Sequence, residues 1–476
     1  MATGALNPKG VEELRKSFRG SILRPGDDGY EGARRIWNGM IDRRPAAIAR
    51  CTGSADVMAA VRFAREQTLP IAVRCGGHNV AGNAICEGGL VIDLTAMRGA
   101  RVDRARSVVR VGGGALLGDI DHEAQAFGLA VPVGAVSETG IGGLALHGGL
   151  GFLTRKYGLT ADNLVSADLV TADGMPITAD EENHPDLLWA LKGGGGNFGV
   201  VTSFEFRTHP LGPDMYFLLT FYPASVAEKV LTFFRSFMPS APDELMAIAI
   251  YWSAPKGEPI PEVHRGAPVM VVVGCWCGPL DQGEKATQPL RRIATPIADL
   301  SGPMPYVEAQ QLFDPDYPKG LRYYWKSLYL DELSDDVIRL ACDAGAARPT
   351  SQSTVEVWAL GGAMGRVRPE ATAFYHREAP FLLTIEANSE DPAADEANIA
   401  WVRQWDEDAA RFSRGGTYFN FGGFWEGGEE TLARSFGTNY QRICGVKARY
   451  DPQNVFYHNL RIPAGPDEQS SVSAGE

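Results

Sequence analysis

The 476-residue sequence has no uninterrupted apolar stretch of the roughly 20 residues that a transmembrane helix needs, so no membrane association is expected. It also lacks a cluster of Lys and Arg interleaved with aromatics. A formal charge of −13, spread along the chain, argues further against nucleic acid as a partner. Cysteine is sparse: Cys51, Cys75, Cys86, Cys275, Cys277, Cys342 and Cys444 form an odd, scattered set rather than a disulfide framework. The close pair in "VMVVVGCWCG", Cys275 and Cys277, has no second ligand pair, so it reads as two buried thiols on one face of a strand, and no metal site is expected. The opening "MATGALNPKGVEELRKSF" lacks the apolar core of a secretory signal and reads as a tail leading into a helix, which implies a cytoplasmic protein. No internal repeat is visible. With 45 % apolar and 22 % charged residues, the composition is that of an ordinary globular chain, long enough for two or three domains.

Glycine, by contrast, is abundant and unevenly placed. Between residues 70 and 200 it forms four dense patches: Gly76-Gly77, Gly112-Gly113-Gly114, "GIGGLALHGGLG" (140–151) and "GGGGNFG" (193–199). Strand-like runs separate them at 89–94, 107–114, 168–174 and 200–206. Helical stretches intervene at 116–128 and 185–193, and Ser54 is positioned to cap "ADVMAAVRFAREQ", whose Val57, Val61 and Ala64 share a face. From about residue 211 longer alternating runs take over: "MYFLLTFY" (215–222), "PVMVVVGCW" (268–276), "LRYYWKSLYL" (321–330) and "TVEVWAL" (354–360). With helical segments between them, such as "ASVAEKVLTFFRSF", they predict an antiparallel sheet with covering helices. After about 414 the chain is again aromatic and glycine-rich, and the polar tail 464–476 reads as disordered.

Repeated strand–glycine loop–helix junctions let backbone N–H groups converge on an anion such as a dinucleotide pyrophosphate. "GGGALLG" (112–118) partly imitates the Rossmann fingerprint, but no acidic ribose partner follows in a βαβ context. Some of these glycines must simply be turns. Within the first patch, "VRCGGHNVAG" places His78 directly after a tight turn, where an imidazole commonly bonds to nearby backbone.

Taken together, "RCGGHNVAG" (74–82), "GGLVIDLTAM" (88–97), "GIGGLALHGGLGFLTRKYGLTADNL" (140–164), "GGGGNFGVVTSFEF" (193–206) and "KARYDPQNVFYHNLRI" (447–462) resemble the berberine-bridge-enzyme-like flavoprotein oxidases of the vanillyl-alcohol-oxidase fold superfamily. The resemblance runs nearly end to end. It implies an α+β chain: a two-part FAD-binding domain, residues 1–210 with a returning segment 414–463, and a substrate-binding domain, 211–413, with an antiparallel sheet covered by helices. It implies FAD joined through its 8α-methyl to His78, an attachment that prevents cofactor loss and raises the flavin potential. Arg74, Cys75, Gly76, Gly77, Asn79 and Gly82 would surround that link. Val136, Thr139, Gly140, Gly143, Gly149 and Gly151 would form the next loop, with Asn163, Val200 and Asn459 completing the flavin site. Where many relatives carry a second, cysteinyl link, this chain has Val136, so one covalent bond is expected rather than two. Thr139 occupies the position controlling oxygen access, and its valine-like size favours dioxygen as the electron acceptor.

On the substrate side, the chemistry needs a base and a dry pocket. The family's second motif tyrosine is here Phe421, in Tyr418-Phe419-Asn420-Phe421, and cannot take a proton; as a strand this segment would turn Tyr418 and Asn420 to the other side. Tyr324 is therefore the first candidate base, with Lys326 on the same face to lower its pKa. Glu356 and Asn459 complete the catalytic candidates. Val136, Tyr324, Trp358, Leu360 and Phe421 are the expected substrate pocket. Glu356 could equally be a salt-bridged surface residue, and Trp358 plain core. Glu356, Trp358 and Leu360 stand at positions that are charged in nicotine-oxidising members, and two of the three are apolar here, which points away from a nicotine-type amine towards a larger, more aromatic or alcohol-bearing substrate. His147 reads as a structural loop residue. Three functions follow: an oxidase acting on a carbon bearing OH or NH and releasing hydrogen peroxide, a dehydrogenase with another acceptor, and a noncatalytic flavin-binding redox protein. A small-molecule substrate and dioxygen are the expected partners. Monomer and homo-oligomer are equally compatible with the sequence.

Overall fold

The computed structural model describes residues 8–424 and 426–465, so all but the first two residues of the polar tail lie outside it. Near the N-terminus, Ala47–Arg50, Leu90–Asp93 and Ile71–Arg74 pair in parallel, and Ser21–Leu23 adds an antiparallel edge. These strands are short and almost wholly apolar because both faces are covered. Helix Ser54–Glu66 packs Val57, Ala60, Val61 and Ala64 into the same core. Its cap differs from expectation. Ser54 is the first helical residue, with Gly53 before it, and the Ser54 hydroxyl bonds Thr202 Oγ1 at 3.1 Å.

A second, antiparallel sheet has the order Ala100–Asp103, Val108–Gly112, Val200–Arg207, Leu164–Val170, Pro176–Ala179. The run expected as a strand at 168–174 therefore begins earlier and ends at Val170, beyond which Ala172–Gly174 turn the chain. Helices Leu117–Gln125 and Pro185–Leu191 form where their patterns predict them.

The third sheet is antiparallel throughout, with Ala298–Asp299, Asp214–Pro223, Pro268–Trp276, Leu245–Ser253, Thr354–Ala359, Phe381–Ser389 and Arg322–Leu330 in order and Gly302–Pro305 also against Asp214–Pro223. Helices Ala227–Phe237 and Asp335–Ala346 bury their apolar stripes, Val230, Leu231, Phe234, Val337 and Ile338 among them, on one face. Helix Asp395–Ala410 covers the same side at the end of the sheet, over Tyr324, Ile385 and Ala387. Because side chains alternate along a strand, the other face is presented towards the N-terminal sheets. The chain then returns: Phe436, Ile443, Val446, Leu460 and Ile462 pack with Leu187, Leu191 and Phe198 of the glycine-rich half.

Buried charge locks this return. Lys447 Nζ and Asp451 Oδ2 are 2.6 Å apart and fully buried, and the same ammonium donates to the carbonyls of Asn197 at 2.8 Å and Phe456 at 3.0 Å. Satisfying every donor is what allows such a pair indoors. No helix among the described residues is long and apolar enough to cross a membrane.

Candidate active site

A cleft runs from the glycine loops to the open face of the third sheet. At one end its walls are main chain: Gly76, Gly77, Gly113, Gly140, Gly143 and Gly196 all line it. Where Gly76 meets Gly140 the packing leaves no room for side chains. A Cβ on Gly140 would lie 2.3 Å from the backbone nitrogen of Gly76, and one on Gly76 would lie 2.6 Å from the nitrogen of Gly140. Gly77 has φ of +72°, the left-handed turn that delivers the next residue, His78, into the cleft.

His78 Nε2 is buried without a hydrogen-bond partner, and burial pushes the imidazole down to about 3, so the ring is neutral at physiological pH. Trp37 stacks on it, centroids 4.0 Å apart and planes 22° apart, and Tyr323 stacks on the far face of Trp37 at 3.5 Å. His147 also lines the cleft. Its Nδ1 meets the Gly143 carbonyl at 2.9 Å, whereas Nε2 has no partner.

At the other end the walls are side chains. Trp252, Phe313, Trp325, Trp358 and Phe421 surround two carboxylates, Glu356 and Glu386, which are 3 % and 2 % exposed. Across the ladder Glu356 faces Thr384 and Thr354 faces Glu386, so the two glutamates are diagonal neighbours on one face. Glu356 accepts from Trp358 Nε1 at 2.8 Å, Thr354 Oγ1 at 3.2 Å and Tyr317 Oη at 3.3 Å. Glu386 accepts from Thr384 Oγ1 at 3.0 Å. Neither glutamate forms an ion pair with any described residue, so burial raises both carboxyls above their usual range. The negative charge of Glu356 raises Glu386 further. Burial and the two carboxylates together drive the Tyr317 phenol well above its ordinary value.

Between the two ends, the Tyr418 oxygen accepts three N–H donors, from Gly149 at 3.2 Å, Leu150 at 3.0 Å and Asn420 Nδ2 at 2.9 Å. The segment Phe419–Phe421 is a 3-10 turn rather than a strand, so Tyr418, Asn420 and Phe421 all reach the cleft.

The FAD binding domain family matches residues 45–180, and the berberine and berberine-like family matches residues 417–463. The chain is 34 % identical to (R)-6-hydroxynicotine oxidase of Paenarthrobacter nicotinovorans, over 94 % of this chain and 97 % of that protein. It is 30 % identical to an FAD-linked oxidoreductase of Dictyostelium discoideum, over 95 % and 96 % of the two chains. The chain belongs to the berberine-like FAD-linked oxidoreductases. Among solved structures, 6-hydroxy-D-nicotine oxidase from Arthrobacter nicotinovorans matches with a TM-score of 0.83 at 31 % identity, covering 94 % of this chain and 98 % of that one. The berberine-bridge-enzyme-like 1 protein of Physcomitrella patens shares the fold, with a TM-score of 0.86 at 24 % identity over 96 % and 100 % of the chains.

The residues of this berberine-like oxidoreductase fit an FAD. The interlocked Gly76–Gly140 contact gives a ligand close access to main-chain groups, and the unpartnered His78 Nε2 and His147 Nε2 are polar atoms left for it to satisfy or for the site to shield. Of the residues expected from sequence, Cys75, Gly76, Gly77, His78, Asn79, Val136, Thr139, Gly140, Gly143, Asn459, Glu356, Trp358 and Phe421 line the cleft. Others sit behind its walls. Arg74 donates to the Ala33 carbonyl, and Gly82 packs on Ile41. Gly149 donates to Tyr418, Gly151 donates to Thr154 Oγ1 at 2.9 Å, and Asn163 ties the carbonyls of Tyr157 and Leu159. Val200 is paired with Val170 in the second sheet.

Two expectations need correcting. Tyr324 and Lys326 do share a face, but it is the helix-covered one. Tyr324 packs with Ile385, Ala387 and Val402 and donates to Glu426 at 2.6 Å, and Lys326 pairs with Asp406 at 3.1 Å. Burial and the Glu426 contact raise the Tyr324 phenol instead of lowering it. Leu360 lies past the end of its strand, its N–H bonded to the Pro380 carbonyl at 2.8 Å, and is core rather than pocket. The residues that sequence reasoning missed are Glu386, Tyr317, Trp37 and Trp325. For Glu386 a signal existed: Thr384, Glu386 and Asn388 recur at period two within an otherwise apolar strand.

Proposed function

We propose that this protein is a covalent-FAD oxidase that removes a hydride from a carbon bearing OH or NH in a small organic substrate and returns the electrons to dioxygen as hydrogen peroxide. The observation that carries this reading is the cleft itself, with a neutral imidazole of unpartnered Nε2 among glycines at one end and two buried carboxylates without an ion pair among aromatics at the other. His78 is the residue that would hold the flavin covalently, with Gly76, Gly77, Gly140 and Gly143 admitting its phosphates and ring to the main chain. Val136 stands where a second, cysteinyl link would need a thiol. Cys75, the cysteine beside the turn, is occupied with the Ala115 carbonyl at 3.3 Å and pushed up to about 11 by burial, so a single attachment is expected. When bound, FAD supplies the hydride acceptor and the route to dioxygen.

The chain's own residues handle the proton. Phe421 leaves the family's tyrosine role vacant, and Glu356 takes it: its carboxylate faces the cleft, and Tyr317, Trp358 and Thr354 hold it in place. Glu386 keeps the pair's affinity for a proton high. The aromatic walls position a flat apolar substrate and exclude water, which strengthens every charge inside. Thr139, lining the cleft, is small enough to leave room for dioxygen.

The test is a panel of aromatic alcohols and amines mixed anaerobically with the yellow protein. A substrate bleaches the flavin band, and admitting air restores it with one peroxide formed per turnover. Bleaching that air does not reverse, but a quinone does, would make the protein a dehydrogenase. No bleaching across the panel would favour a noncatalytic flavoprotein.

A further inference from the structure

Trp37 lies far in sequence from everything else in the site, in "RRIWNGM" after helix Tyr30–Arg34, yet it is 2 % exposed and touches both ends of the cleft. One face of its indole stacks on His78 and the other on Tyr323, while Trp325 meets its edge at 5.5 Å. Its backbone N–H donates to the Gly77 carbonyl at 3.1 Å, and its Nε1 donates to the Tyr317 carbonyl at 2.8 Å. The next residue, Asn38, clamps the carbonyls of Val80 at 2.7 Å and Tyr323 at 2.8 Å. A histidine ring is ordinarily oriented by a hydrogen bond to one nitrogen. His78 Nε2 has none here, so beyond the ring's contact with its own backbone it is the face of Trp37 that holds the imidazole plane.

We propose that Trp37 is the positioning residue for flavin attachment: it fixes the plane of the His78 imidazole for bond formation and ties that ring to the loop carrying Tyr317. This rests on the reading of His78 as the attachment point. Attachment replaces one imidazole N–H and one 8α-methyl C–H with a C–N bond, and the two hydrogens leave as protons and electrons taken up by dioxygen as hydrogen peroxide. Trp37 donates no atom to this step. It removes the ring's freedom to turn, and Tyr323 backs it.

The experiment compares wild type with His78→Ala, Trp37→Phe, Trp37→Leu and Tyr323→Leu, each purified with FAD. Total flavin is read from the native visible spectrum and attached flavin from fluorescence of the acid-precipitated chain in a denaturing gel. Trp37→Leu should bind FAD but form the attachment about tenfold more slowly, the equivalent of one aromatic pair, and Trp37→Phe should restore most of the rate. Equal total flavin in the native spectra of the Leu and Phe variants separates a slowed attachment from a loss of packing. An attachment rate in Trp37→Leu equal to wild type overturns the proposal. Should Trp37→Leu not fold, Tyr323→Leu reads the same stack: a severalfold slower attachment supports the proposal and an unchanged rate overturns it. Wild-type protein lacking acid-stable flavin instead overturns the His78 reading, and the role of Trp37 with it. His78→Ala keeping its acid-stable flavin places the bond on another residue and does the same.

Discussion

At Gly76 and Gly140 the cleft is walled by two main-chain segments in van der Waals contact, whereas around Glu356 and Trp358 its walls are side chains projecting from strands. The first kind of wall owes its shape to the absence of atoms, so a side chain added at Gly76 or Gly140 destroys it. The second owes its chemistry to particular functional groups, so an isosteric change can remove function while leaving the shape. The glycine half should thus respond to volume and the aromatic half to charge.

Gly140→Ala gives the largest expected effect. The new Cβ would lie 2.3 Å from the Gly76 nitrogen and 2.6 Å from Cys75 Sγ, neither of which is the end of a flexible side chain. Purified protein should carry no flavin in its visible spectrum. Glu356→Gln keeps the volume and should retain FAD while lowering kcat by about 10²–10⁴, the usual worth of a positioned general base. Its pH dependence sharpens the contrast. The carboxylate must be ionised to accept a proton, and burial raises its pKa, so the wild-type rate should climb with pH above the ordinary carboxylate range and that limb should vanish in the variant.

Lys447→Ala acts through neither wall but through the segment that brings Phe456, His458 and Asn459 to the glycine half. Leaving Asp451 buried and unpaired should cost about 3–5 kcal/mol in denaturant unfolding. Tyr324→Phe is the smallest effect. The phenol is on the far side of the sheet, so kcat should be unchanged, and loss of its bond to Glu426 should cost about 1 kcal/mol of stability. A large fall in kcat there would return Tyr324 to the catalytic list.

The two halves also differed in how far the sequence could be read. The glycine half is local: a strand, a positive-φ glycine and His78 occupy consecutive positions, so the turn that presents the imidazole is written in "VRCGGHN". The aromatic half is assembled across strands. Alternation correctly placed Glu356 and Trp358 together, and Tyr324 with Lys326, but it does not say which face of a strand the helices will cover. That choice is made by helix Asp395–Ala410 packing over Tyr324, which leaves Trp325 on the face that lines the cleft and Tyr323 buried against Trp37. Glu386 became Glu356's neighbour only through ladder register, and Tyr317 and Trp37 lie in irregular segments with no period to betray them. Apolar side chains at Trp358 and Leu360 do not leave the pocket without charge. The pocket holds a second carboxylate, Glu386 on the next strand, beside Glu356, and Leu360 is not in the pocket.

The central claim is a flavin fixed to one imidazole. Acid-precipitating the purified protein, digesting the pellet and sequencing the fluorescent peptide by mass spectrometry tests it directly. The account predicts a yellow pellet and a single flavin-bearing peptide modified at His78. Colour left entirely in the supernatant, or a flavin carried by any other residue, would contradict it.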